Sequence, residues 1–266
     1  MSHEKLPIVL TGVSSGIGAK TADILALRGI PLIGIDRNPP SEFPGTFVQA
    51  DLSTQEGIAA AAAAVAAEAT DGIAGLANIA GVPGTAPWRT VLAVNVFGVR
   101  GLIRALAPLL HEGAAVVNLA SSVAVNWRDV KAKCSAFALA PDQASALDSV
   151  ADDEEVTGES YLFSKQCVRV LTEHLAAELL PQRIRVNSVS PGPVATPILE
   201  DFKKDHGRDK VEGAGALLGR FGEPDDIATV IDFLLRPESG WVNGSDIRVD
   251  GGLGAYRGSG LAAVAG

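Results

Sequence analysis

The chain has 266 residues, 47% of them hydrophobic, and a formal net charge of −9. This length suits one α/β domain with a sizeable core, and the acidic balance argues against nucleic acid and anionic membranes as partners. Two cysteines, Cys134 and Cys167, give no disulfide framework, so a reducing, cytoplasmic setting is expected.

Short apolar runs alternate with helical stretches along the chain. Strands are expected over residues 8–10, 32–35, 47–49, 73–77, 115–119, 184–189 and 247–249, and helices near 16–27, 54–68, 88–110, 160–180 and 225–235. The N-terminus runs directly into the first strand, with neither a signal peptide nor a membrane span in the pattern. Alternation of this kind implies a parallel sheet with helices on both faces. No interdomain linker interrupts it, so a single domain over 1–266 is expected. The alanine run 59–64 reads as a surface helix, alanine being the best helix former.

The first strand ends in Thr11-Gly12-Val13-Ser14-Ser15-Gly16-Ile17-Gly18 and opens the first helix. Glycines there let backbone approach a pyrophosphate, and a helix N-terminus favours the anion. Asp36 ends the second strand, where a carboxylate accepts hydrogen bonds from both adenosine ribose hydroxyls and repels a 2′-phosphate. Ser14 and Ser15 bring no cation to the loop, so NAD is favoured over NADP. Arg37 is the dissenting residue, since it can face a 2′-phosphate. Asp51-Leu52 ends the third strand and reads either as an adenine contact or, for Asp51, as a helix cap. Asn78-Ile79-Ala80-Gly81 ends the fourth, with small residues suited to close approach by a ribose or to a tight turn.

Residues 126–159 then separate the fifth strand from the next long helix, and contain helix-compatible stretches at 130–140 and 143–150. Their acidic run Asp152-Asp153-Glu154-Glu155 reads as a solvated face. The helix that follows carries Tyr161 and Lys165, which share one face at i and i+4. A phenol titrates near ~10, so general-base work near neutrality needs ~4 kcal/mol in favour of the phenolate, which a neighbouring ammonium can supply. Residues 191–220 form a long connection of the kind used as a lid. His3, His111, His174 and His206 are scattered without ligand spacing, so no metal site is expected.

Taken together, Thr11–Gly18, Asn78–Gly81, Asn95, Ser121, Tyr161, Lys165 and Pro191-Gly192 occur in the order found in the short-chain dehydrogenase/reductase family, which the chain resembles over almost its whole length. The resemblance implies a Rossmann-type α/β fold with a seven-stranded parallel sheet. It implies that Tyr161 is the general acid/base and that Lys165 lowers the phenol's pKa and holds the nicotinamide ribose. Ser121, rather than Ser122, would hydrogen-bond the substrate oxygen. Asn95 would hold a backbone kink and a water leading from Lys165 to solvent. Pro191, Gly192, Val194 and Thr196 would meet the nicotinamide half of NAD.

The family keeps its serine and tyrosine much closer together than Ser121 and Tyr161 are here, so residues 126–159 are read as a helical insertion before the tyrosine helix. It is expected to shape the substrate mouth and to cover helix faces used for oligomerisation, favouring a homodimer over the common tetramer. A similar insertion occurs in bacterial coniferyl-alcohol dehydrogenases and the 3α-hydroxysteroid dehydrogenase/carbonyl reductase group, and the chain is similar to that branch. A hydrophobic, aromatic alcohol or its carbonyl is therefore the expected substrate, with a steroid alcohol as the alternative. Val123, Trp127, Ile198, Leu199 and Phe202 are the expected apolar lining, or else pack the insertion and lid on the core. A non-catalytic NAD-binding sensor is the reading from a different class; an intact Ser/Tyr/Lys set weighs against it.

Overall fold

Seven apolar segments pair into one parallel sheet, in the order β3-β2-β1-β4-β5-β6-β7, in the computed structural model, which describes residues 6–259. The strands are β1 (Ile8–Thr11), β2 (Leu32–Asp36), β3 (Thr46–Gln49), β4 (Ile73–Asn78), β5 (Leu110–Leu119), β6 (Arg185–Pro191) and β7 (Asp246–Val249). All six neighbouring pairs are parallel. Parallel neighbours require crossovers, which the helices supply.

The helices are α1 (Gly16–Leu27), α2 (Gln55–Glu68), α3 (Trp88–Leu92), α4 (Val99–Leu106), α5 (Lys131–Ala138), α6 (Gln143–Ser149), α7 (Glu154–Gly158), α8 (Ser160–Leu179), α9 (Leu199–His206), α10 (Arg208–Leu218), α11 (Pro224–Leu235) and α12 (Leu253–Gly258). One side of the sheet buries Ile58 of α2, Leu102 of α4 and Leu171 of α8; the other buries Leu25 of α1 and Ile231 of α11. The central strands β1, β2 and β4 are near-continuous apolar runs because both faces are covered, whereas the outer strands β3 and β7 are only partly buried.

The expected helix over 88–110 is broken into pieces. A π-helical turn, Ala93–Gly98, joins α3 to α4, and a 3-10 turn, Ala107–Leu109, with Pro108 at its start, ends the stretch so that β5 begins at Leu110. Residues 88–109 are as long and apolar as a membrane span, yet 67% of their most apolar window is buried inside the protein, so the apolar character serves the core.

Residues 126–159 lie against the helices on one side of the sheet. Of their helices, α5 and α7 pack on α8, and α6 packs on α5. Trp127, Cys134, Phe137, Leu147 and Val156 join the same core cluster as Phe97, Phe163 and Leu171. Phe137 stacks edge-on with both Phe97 (5.2 Å) and Phe163 (5.3 Å). Arg100 of α4 holds the end of α5, donating to the carbonyls of Ala138 and Ala140 at 2.6 Å each. The acidic run is largely solvated, but Asp153 also caps α7 and pairs with Lys133 at 2.7 Å. The segment has a large apolar face and buries it on the nearest uncovered helices.

Candidate active site

β1 lies between β2 and β4, so the crossovers diverge on either side of the β1/β4 junction and leave a crevice beyond the strand ends. In this crevice Thr11 is paired in register with Asn78, and Asn78 with Asn118. Thr11 Oγ1 accepts hydrogen bonds from the N–H groups of Ile79 and Ala80, both at 3.0 Å. This clamp between the ends of β1 and β4 is a part of the site that sequence reasoning passed over, although Thr11 stands at the motif's first position.

The glycine loop is built to extreme closeness. A Cβ on Gly18 would stand 1.9 Å from the Gly12 carbonyl oxygen, and Gly12 itself has φ +75° with Ala80 backbone 2.8 Å from where its Cβ would be. Only glycine satisfies both positions. Ser15 at the N-cap of α1 makes no side-chain cap hydrogen bond, so the first-turn N–H groups are not taken by a protein side chain. Gly12, Ser14, Ser15, Gly16, Ile17 and Gly18 all line the resulting cleft.

Asp36 and Arg37 line the far end of that cleft with Asn38, Ala50, Asp51 and Leu52. The Asp36 carboxylate is held in place by the N–H groups of Ser14 (3.1 Å) and Asn38 (3.0 Å). Asp51 does not cap α2: Thr54 does, accepting from Gly57 N at 3.0 Å. Asp51 accepts from Ser53 N at 2.9 Å, and bonding by Ser53 holds its carboxyl below the usual range. Ala80 and Gly81 line the cleft, whereas Asn78 does not. The Asn78 amide is buried and donates to Asn118 Oδ1 at 3.0 Å, bracing strands β4 and β5.

Next to this cleft is a smaller recess, lined by Ser121, Tyr161, Lys165, Pro191, Gly192, Val194, Thr196, Ile198 and Phe202 together with Val82 and Pro83. Ser121 follows β5, and its hydroxyl hydrogen-bonds the Tyr161 phenol. Ser122 instead uses its N–H to bond the Pro191 carbonyl at 2.9 Å. Lys165 reaches behind the phenol, its Nζ 5.6 Å from the Tyr161 ring centroid and donating to the Leu119 carbonyl at 2.8 Å. One turn on, Arg169 ties α8 to the sheet through Asp246 (2.5 Å) and Ser190 (3.0 Å).

The protein alone does not depress the Tyr161 pKa. Burial drives the phenol well above its ordinary value of 10.0; the Ser121 hydrogen bond pulls it back and the charge of Asp205 pushes it further up. Burial likewise lowers Lys165, from 10.5 to about 8. Desolvation disfavours both charged forms, and here it outweighs the help expected from the ammonium.

Asn95 sits in the π-helical turn, fully buried. Its Oδ1 accepts from Val82 N (2.9 Å), and its Nδ2 donates to Val82 O (3.1 Å) and to Ser164 Oγ (3.1 Å). These bonds tie the π-helical turn to Val82 and to Ser164 of α8. Among the expected substrate residues, Ile198 and Phe202 line the recess, while Val123, Trp127 and Leu199 do not. Trp127 is 4% exposed, packs in the core and carries Arg128 over its ring at 4.4 Å. Leu199, the first residue of α9, is buried. Cys134 and Cys167 are buried free thiols away from the cleft linings. Among the described residues no group of three or more His, Cys, Asp or Glu side chains is arranged to hold a metal. His3 lies outside the described residues, as does the side chain of His206.

Residues 7–136 match the family model described as short chain dehydrogenase, and residues 144–254 match one described as enoyl-(acyl carrier protein) reductase. The chain is 38% identical over 251 residues to a coniferyl-alcohol dehydrogenase of Pseudomonas sp. (strain HR199 / DSM 7063), covering 92% of this chain and 95% of that one. It is 36% identical over 256 residues to a 3-alpha-hydroxysteroid dehydrogenase/carbonyl reductase of Comamonas testosteroni, covering 93% and 96%. Among solved structures, a 3-alpha-hydroxysteroid dehydrogenase from Pseudomonas sp. B-0831 complexed with NADH superposes with a TM-score of 0.84 at 35% identity, over 95% of this chain and 98% of that one.

Proposed function

The chain belongs to the short-chain dehydrogenase/reductase family of oxidoreductases, and on that footing we propose that it is an NAD-dependent alcohol dehydrogenase for a hydrophobic, aromatic, coniferyl-type alcohol. One observation carries the reading. Ser121, Tyr161 and Lys165 converge on an apolar recess that adjoins a glycine-lined cleft ending in Asp36.

The cleft fits a dinucleotide. The N-terminus of α1 has no side-chain cap and suits a pyrophosphate. Asp36, already oriented by two N–H groups, accepts ribose hydroxyls and disfavours a 2′-phosphate. Arg37, Asp51, Leu52, Ala80 and Gly81 flank the adenosine half, and Pro191, Gly192, Val194 and Thr196 the nicotinamide half. NAD, when bound, supplies the hydride acceptor and a positive charge near the phenol.

In alcohol oxidation Tyr161 takes the substrate's hydroxyl proton and Ser121 bonds the oxygen as its charge changes. Lys165, fixed by Leu119, places an ammonium behind the phenol; with a pKa of about 8 it remains mostly charged near neutrality. Asn95 acts through Val82 and Ser164, holding the recess wall against α8. Ile17, Ile79, Val82, Pro83, Ile198 and Phe202 make the recess apolar, which supports a hydrophobic substrate. A 3α-hydroxysteroid alcohol is the second reading, supported by the 0.84 structural match.

This reading covers one catalytic domain. It includes assembly as a homo-oligomer, a dimer in preference to a tetramer, because α5 and α7 pack on α8. A cytoplasmic setting is supported by the two free thiols. The test is NAD-linked oxidation of cinnamyl-type alcohols beside steroid alcohols, in the native chain and in Tyr161→Phe. Aromatic alcohols should be turned over, and Tyr161→Phe should lose ~10²–10⁴-fold in kcat while still binding NAD. Oxidation of steroids alone removes the coniferyl-type reading, and undiminished turnover in Tyr161→Phe removes the tyrosine from the mechanism.

A further inference from the structure

The inserted segment reaches the dinucleotide cleft at its adenine end. Gln143, the first residue of α6, donates from Nε2 to the Ser53 carbonyl at 3.0 Å. Ser53 in turn donates its N–H to Asp51 Oδ1 at 2.9 Å, and Asp51 and Leu52 line the cleft. The other supports of this turn come from the Rossmann core. α2 starts so close beneath it that a Cβ on Gly57 would stand 2.0 Å from the Asp51 carbonyl, and the π-helical turn approaches the Leu52 carbonyl at Gly98, where a Cβ would stand 2.7 Å away. The Ser53 carbonyl is held by the insertion.

Gln143 is itself well placed for this. Asp142 caps α6, accepting from Ser145 N at 2.7 Å, so the helix start is fixed. Upstream, Arg100 holds the carbonyls of Ala138 and Ala140, which sets where the chain enters α6. The anchor therefore runs from the α4 core through the end of α5 to the wall of the cleft.

We infer that Gln143 is a positioning residue for the adenine half of the dinucleotide site, and that the insertion serves cofactor binding rather than substrate choice. The inference rests on the dinucleotide reading above. Gln143 touches neither the reacting atoms nor the recess lining, so its effect belongs to binding of the adenosine portion and not to the chemical step.

Titration of the full chain with ADP-ribose, nicotinamide mononucleotide and NAD tests this. Losing one net hydrogen bond should weaken ADP-ribose and NAD in Gln143→Ala by the same ~3–10-fold. Nicotinamide mononucleotide affinity and kcat at saturating NAD should not change. Gln143→Glu, equal in length but facing the carbonyl with a carboxylate, should lose at least as much, and Gln143→Lys, which restores a donor of similar reach, should recover part of the loss. Unchanged ADP-ribose affinity in both Gln143→Ala and Gln143→Glu overturns the inference, as does an equal loss for both half-ligands, which marks a general disturbance. If the native chain binds neither ADP-ribose nor NAD, the dinucleotide reading fails first and this inference with it.

Discussion

The ring of Phe202 meets the ring of Tyr161 edge to face, with 5.0 Å between centroids and 63° between planes. Phe202 belongs to α9, in the long connection after β6, and Tyr161 to α8. The lid and the tyrosine helix thus share one wall of the recess.

Replacing Phe202 by Ala should therefore raise KM for aromatic alcohols more than for small aliphatic ones. An aromatic contact of this kind is worth roughly 0.5–1.5 kcal/mol beyond simple burial, which corresponds to a selective loss of about 2–12-fold in kcat/KM. Steady-state kinetics with one aromatic and one short-chain alcohol measure it. Equal losses for both would show that Phe202 only packs the lid.

Asp36 is gripped by Ser14 and Asn38, so its carboxylate cannot easily turn away from the cleft. Asp36→Ser should lower kcat/KM with NAD and raise it with NADP, moving the ratio by about 10–100-fold, the value of one or two charge-assisted hydrogen bonds gained or lost. Assays with the two cofactors side by side decide it. A native enzyme that already prefers NADP would point to Arg37, the neighbouring cleft residue, as the controlling group.

The pH dependence follows from the sign of the Tyr161 shift. Oxidation needs the phenolate, and burial together with Asp205 favours the phenol. Below the phenol's pKa, kcat/KM for oxidation should climb about tenfold per pH unit until Lys165 begins to lose its charge at about 8. Asp205→Asn removes a negative charge that disfavours the phenolate, so its rising limb should move to lower pH. A limb that stays in place, or moves up, would mean that Asp205 exerts no field at Tyr161.

Much of the architecture is legible in the chain. The strand ends at Thr11, Asp36, Asn78 and Leu119 fall at or within one residue of the apolar runs that announce them, because a strand covered on both faces must be apolar throughout. The glycine loop and the Tyr161/Lys165 pair were legible for a similar reason: each is a local constraint, set by backbone closeness or by one helical turn. Less legible were the breaks inside residues 88–110. A π-helical turn leaves the hydrophobic pattern almost unchanged while it redirects Asn95 toward Val82 and Ser164.

By itself, then, the sequence determined the order of strands and helices, the family, and which side chains stand close enough along one element to act together. Tertiary structure decided where residues 126–159 lie, that Trp127 belongs to the core while Phe202 faces the recess, that Asn78 braces the sheet, and that the Tyr161 phenol is raised rather than lowered. Each of these depends on segments far apart in the chain. Burial and the electric field at a side chain are sums over neighbours that only the folded chain brings together, and no spacing within one helix or strand encodes them.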